Sequence, residues 1–129
     1  MDIHLSEASG VPFYRQLEDQ VADRIRAGLL APGDALPSVR QLAATLMISV
    51  ITVKRAYSEL EAAGLVVSRQ GRGTFVAEAA PAASRQQLLA DLSGEVEAVV
   101  ERAATLEVGA DTLREAFFAA LERHYPEEP

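Results

Sequence analysis

Residues 38–64 read SVRQLAATLMISVITVKRAYSELEAAG, a string that encodes two short helices with a tight corner between them. Ser38 precedes Val39, Leu42, Ala43 and Leu46, whose spacing of three and four residues puts them on one helical face. Gln41 lies three residues after Ser38, as a reciprocal capping box requires, so a helix starts there. Ser49 offers a second N-cap, ahead of Val53, Ala56, Tyr57, Leu60 and Ala63 on one face, and Gly64 is the stop. Only Met47, Ile48 and Ser49 separate the two patterns. Two helices joined this closely match the helix-turn-helix, whose second helix presents its first turn to the major groove of DNA.

The flanking sequence completes the unit. Upstream, Tyr14, Leu17, Val21 and Ile25 recur at helical spacing between Pro12 and Ala27, and Gly28 follows. Two prolines and a glycine make residues 31–37 a tight connector, because none of them continues a helix well. Downstream, residues 65–69 and 74–76 are β-rich runs around Gln70-Gly71-Arg72-Gly73, the pattern of a hairpin or wing. Periodicity directs Tyr57 and Phe75 toward the core.

Residues 78–84, with Pro81 among alanines, are expected to be a linker. Beyond it, Leu89, Leu92, Val96, Val99, Ala103 and Leu106 follow heptad intervals, and Leu88 and Val100 broaden the stripe. A helix of about 22 residues, roughly 33 Å long, is predicted. Val108-Gly109-Ala110 ends it, and Asp111 or Thr112 is expected to cap a last helix carrying Leu113, Phe117, Ala120 and Leu121. The predicted fold is mainly α with a small β-hairpin: a winged helix-turn-helix domain over 1–77 and a two-helix dimerisation module over 85–129. One short partner helix could hardly cover the broadened stripe, so a homodimer is expected through Leu88, Leu89, Leu92, Val96, Val99, Val100, Ala103, Leu106, Leu113, Phe117 and Leu121.

The net charge of −7 argues against a nucleic-acid partner only until it is divided along the chain. Residues 1–77 hold eight basic and eight acidic residues; residues 78–129 hold four and eleven, which gives the whole excess. Between Ser38 and Gly73, Arg40, Lys54, Arg55, Arg69 and Arg72 face only Glu59 and Glu61, a modest footprint for phosphates. With 49% hydrophobic residues and mean hydropathy near zero, the chain is expected to fold as a soluble globule. No cysteine is present, which excludes disulfides and thiolate metal sites and fits the cytoplasm. The acidic Met1–Gly10 stretch does not resemble a signal peptide, and no apolar run is long enough to cross a membrane.

Three strings carry a family resemblance: Pro32-Gly33-Asp34-x-Leu36-Pro37-Ser38-x-Arg40-x-Leu42-Ala43, Thr52-Val53-Lys54-Arg55-Ala56-Tyr57-x-x-Leu60, and Gly71-x-Gly73-Thr74-Phe75-Val76. Together they resemble the GntR family of bacterial regulators, and the two-helix remainder resembles its short YtrA-like branch. The resemblance implies a repressor that binds an inverted-repeat operator in double-stranded DNA as a homodimer, often beside transporter genes. It also implies that Arg40 contacts DNA and that Thr52 and Lys54 occupy contact positions.

Residue chemistry supports part of this. A guanidinium at Arg40 can grip phosphate or guanine bidentately, although a surface ion pair is the plainer role. Ser38 and Ser49 are caps first, at helix N-termini that also attract phosphate. Val50, Thr52, Lys54 and Arg55 lie on the presumed DNA side, and Ile51 is open to either the core or DNA. Val50 and Ile51 depart from versions of this turn bearing Arg or Asn, and apolar side chains there would meet thymine methyls. Gly71 and Gly73 permit a tight wing, while Arg69 and Arg72 can reach phosphate or a narrow minor groove.

No metal site is expected, since His4 and His124 share no motif. No cofactor loop or nucleophile–base signature is present, and the chain is expected not to be an enzyme. No pattern designates a small-molecule effector, and two C-terminal helices leave little room for a pocket of roughly 300 to 1,000 Å³. The alternative is a protein-interaction module, since winged helices serve that role too. The clustered cations favour DNA.

Overall fold

A computed structural model describes residues 1–78 and 85–126. The expected linker, apart from Glu78, lies outside the described residues. The chain divides into two compact units, Met1–Arg85 and Gln86–Pro129.

The first unit contains α1 (Phe13–Arg26), α2 (Val39–Leu46), α3 (Val50–Ala62), β1 (Val66–Arg69) and β2 (Gly73–Val76), preceded by one 3-10 turn at Glu7–Ser9. Each helix starts where local chemistry allows it. Pro12, whose missing N–H costs nothing there, precedes α1. Ser38 Oγ accepts from the Gln41 N–H at 3.1 Å, and Gln41 Oε1 accepts from the Ser38 N–H at 3.0 Å, which closes the capping box on α2. Leu17, Val21 and Ile25 from α1, Leu42 from α2, and Val53, Ala56, Tyr57 and Leu60 from α3 form the core with Leu65, Val66 and Val76. Each large side chain fully buried there contributes about 1.5–3 kcal/mol relative to exposure.

The strands pair antiparallel, Val66 with Val76 and Val67 with Phe75. Because successive strand residues face opposite sides, the pair that enters the core, Val66 and Val76, turns Val67 and Phe75 away. Phe75 is therefore half-buried and not a core residue, contrary to its periodicity-based placement. The connector before α2 is also more ordered than a simple turn. Gly33 N–H donates to Val76 O, Val76 N–H to Asp34 O, and Leu36 N–H to Thr74 O, at 2.8–2.9 Å, so this segment lies along β2. Gly33 has φ +85, a dihedral that glycine adopts without strain.

The segment before α1 is held by two glutamines. Gln20 Oε1 accepts from His4 N–H and its Nε2 donates to His4 O, while Gln16 makes the same pair of bonds with Ser6. Arg24 adds a bond to Asp2 O. This docking buries Ile3.

The second unit contains α4 (Arg85–Thr105), apart from its first residue, and α5 (Ala110–His124). Glu107, at φ 60, follows the end of α4, and Gly109 is the N-cap of α5. Neither Asp111 nor Thr112 caps it: the helix starts two residues earlier than an Asp111 cap needs and three earlier than a Thr112 cap, and Asp111 instead accepts from Arg114 at 2.7 Å. Among the described residues of this unit only Ala103 is buried. An open trough of about 560 Å³ is lined by Val96, Val100, Leu113, Phe117, Phe118 and Leu121 among others. The trough is open to solvent, because so little of the apolar surface of these two helices is packed away.

Candidate nucleic-acid interface

The corner between α2 and α3 is made by Met47, Ile48 and Ser49. Met47 ends α2 in the left-handed region, φ 58, with its N–H bonded to Ala43 and Ala44 carbonyls. Ser49 then starts α3: its Oγ accepts from the Thr52 N–H at 3.1 Å and lies 2.7 Å from Thr52 Oγ1. Both caps expected at Ser38 and Ser49 are thus formed, and the Thr52 hydroxyl is tied to Ser49.

Arg40 is exposed in the first turn of α2, Lys54 on α3, and Arg69 and Arg72 at the end of the hairpin. Among the described residues, no ion pair or side-chain hydrogen bond engages any of the four; the ion pairs there are Arg15–Glu18 and Arg114–Asp111. The alternative role for Arg40, a surface ion pair, is therefore not realised among the described residues. Unpaired guanidinium and ammonium groups keep their full hydrogen-bonding capacity for an external anion.

Arg55 differs. Its guanidinium carbon lies 3.8 Å from the centre of the Tyr14 ring, a cation–π contact that ties α3 to α1. Sequence spacing alone grouped it with the other cations, and the stacking partner 41 positions away carries no local signal. In the wing, Arg72 N–H donates to Arg69 O, and Gly71 and Gly73 take φ 75 and 118, which glycine adopts without strain. Ile51 is 79% exposed, so it does not belong to the core; Val50 is 45% exposed and Thr52 is half-buried.

Beneath this surface, Tyr57 is 5% exposed and its hydroxyl donates to Pro37 O at 2.7 Å, bracing the connector against α3. Burial pushes its phenol up to about 12.

In the second unit, Leu89, Leu92, Val96, Val99, Val100 and Leu106 are exposed, as is Leu121, while Leu88, Leu113 and Phe117 are half-buried. Ala103 alone of the expected pairing residues is buried within its own chain. No described helix is long and apolar enough to cross a membrane, and no cluster of metal-ligating side chains occurs among the described residues.

A capped second helix, a three-residue corner and a hairpin bearing unpaired arginines define a winged helix-turn-helix domain. The profile of "Bacterial regulatory proteins, gntR family" matches residues 13–76. YtrA from Sulfolobus acidocaldarius, a GntR-family transcription factor of solved structure, is 33% identical with a TM-score of 0.54, covering 74% of this chain and 97% of that one. The chain belongs to the gntR family. The HTH-type transcriptional repressor YtrA of Bacillus subtilis strain 168 is 40% identical over 76 residues, 59% of this chain and 58% of the relative. The DNA-binding domain of AraR, solved in complex with operator ORX1, is 28% identical with a TM-score of 0.53, covering 60% of this chain and 96% of that one. These relatives are regulators, not enzymes. The chain spans about three fifths of the length of the curated relatives it matches.

Proposed function

We propose that the chain is a sequence-specific DNA-binding transcription regulator, a repressor that acts in the cytoplasm as a homodimer on an inverted-repeat operator. One observation carries the reading: Arg40, Lys54, Arg69 and Arg72 are exposed on the helix-turn-helix and wing and have no ion pair among the described residues. Phosphate neutralisation is the chemistry that such a set supplies. The repressor name of the Bacillus YtrA and the operator complex of AraR support the assignment. The exposed apolar stripe of α4 supports pairing of two copies, and a two-fold dimer matches an inverted repeat with half-sites roughly 34 Å apart or a multiple of that. Transporter genes are the target class implied by the branch.

Duplex sites selected from random sequence, followed by titration at several salt concentrations, test the reading. Affinity should fall with salt at a log–log slope of about −0.9 for each phosphate neutralised. Arg40→Ala and Arg72→Ala should each weaken binding by about 1–3 kcal/mol if the contact is to a base, or reduce the slope by about 1 if it is to a phosphate. Affinity and slope unchanged in both variants would remove these residues from the interface. Absence of salt-dependent duplex binding by the parent chain would favour a protein partner instead.

A further inference from the structure

The corner that precedes α3 carries an unusual concentration of exposed apolar surface. Met47 is 90% exposed, Ile51 79% and Val50 45%, all within five consecutive residues. Exposed large hydrophobics in this first unit otherwise stand at scattered places such as Val11 and Leu29, which require no explanation. Met47 is moreover held on a left-handed backbone, a conformation that is unfavourable for a side-chain-bearing residue. Its solvent exposure offers no compensating burial.

The polar groups of the same turn are already occupied. Ser49 Oγ accepts the Thr52 N–H and is bonded to Thr52 Oγ1, so the cap consumes much of the hydroxyl capacity with which α3 could read a base edge. Among the described residues, Arg40, Lys54, Arg69 and Arg72 of the same unit are exposed without an ion pair and can meet phosphates. Exposed apolar side chains at the start of the helix that also carries the exposed Lys54 suit a surface that is anionic along its backbone and locally apolar between. In the major groove of duplex DNA the apolar group is the C5 methyl of thymine.

We propose that Met47, Val50 and Ile51 form a thymine-methyl reader, so that each operator half-site presents thymines, and not guanine edges, to the start of α3. The inference rests on the DNA-binding reading above and adds the base chemistry to it. Met47 contributes a flexible, polarizable side chain that adapts to methyl positions, and Ile51 a rigid one that fixes them.

The experiment uses the full chain and a duplex half-site pair obtained by selection. Each thymine in turn is replaced by deoxyuridine, which removes only the methyl group. Affinity should fall about fourfold for each contacted thymine, the effect of one buried methyl. The same replacements should cost the Met47→Ser/Ile51→Ser double variant less in total, leaving only the thymine met by Val50; the altered residues are exposed and leave the core intact. Undiminished affinity of the parent chain for the fully uracil-substituted site overturns the proposal while its salt-dependent binding leaves the DNA reading standing. A uracil penalty of equal size in parent and double variant also overturns it, because the penalty then belongs to DNA shape. Selected half-sites without thymine overturn it directly, and absence of any duplex binding removes both readings together.

Discussion

The two units spend their apolar residues differently. Among the described residues, sixteen of the seventeen buried hydrophobics lie in the first unit, and the second buries only Ala103. Yet α4 and α5 are not poor in such residues; they hold them at the surface, as Leu89, Leu92 and Val96 do at about half exposure. Local helical signals can be equally strong in two segments while the free energy that secures them comes from separate sources. In the first it is intramolecular burial; in the second, propensity and whatever covers the stripe. Isolated helices of this length are marginal in water without such packing.

The contrast can be broken most forcefully at Val96. If a second copy covers the stripe, Val96→Asp buries an unpaired charge, costing several kcal/mol, on the order of a thousandfold in the dissociation constant. Sedimentation should then show monomers, while thermal unfolding of the first unit stays put. A parent chain that remains monomeric at micromolar concentration would show that pairing lies elsewhere.

Next in size is Leu60→Ala. Leu60 is fully buried, so the cavity should cost about 2–5 kcal/mol in urea unfolding. The matching Leu92→Ala change at an exposed site should cost the isolated chain less than about 1 kcal/mol and show its effect only in self-association. Equal costs would erase the distinction between the units.

Alkaline pH sharpens the comparison from the first unit's side. The buried Tyr57 phenol holds its proton to about pH 12, whereas the unfolded chain releases it near the ordinary value of 10.0. Stability from this group is whole below pH 10 and declines as pH rises through the window up to 12, at about 1.4 kcal/mol per pH unit. Chemical denaturation between pH 9.5 and about 12 should show a loss of roughly 2–3 kcal/mol that Tyr57→Phe removes. A slope identical in both proteins would mean that the phenol is not what titrates.

The smallest effect concerns the left-handed residues that end α2 and follow α4. Met47→Gly relieves a strain of about 1–2 kcal/mol against an added chain entropy of about 0.5–1 kcal/mol. Its net gain, between about 0 and about 1.5 kcal/mol, should appear as a small rise in the first unit's melting temperature. Glu107→Gly should leave that transition unchanged, since it lies in the other unit.

Sequence made the first unit legible where the signals are local. The Ser38–Gln41 box, the Ser49 cap and the Gly71-x-Gly73 turn each depend on residues within four positions of one another. What it hid depends on distance or on a choice between equals. Nothing near Gln16 and Gln20 announces that their amides pair with Ser6 and His4, and nothing near Arg55 announces Tyr14. Phe75 and Val76 are adjacent and both apolar, so only the strand register decides which one enters the core. At the candidate interface the identity of the cations was legible, whereas their lack of partners and the exposure of Ile51 required the folded chain.

The connector hydrogen-bonded along β2 has a consequence for how the first unit opens. Its amides at Gly33 and Leu36, and that of Val76 on the strand, are donors in the same ladder, and Tyr57 ties the next peptide to α3. A fluctuation that frees the wing must therefore also release the residues leading into α2. In native-state hydrogen exchange these three amides should share one opening free energy close to that of the core, and not exchange with the fast surface loops. The wing and the helix-turn-helix would then meet a binding partner as a single cooperative body, with no separate folding cost for the hairpin.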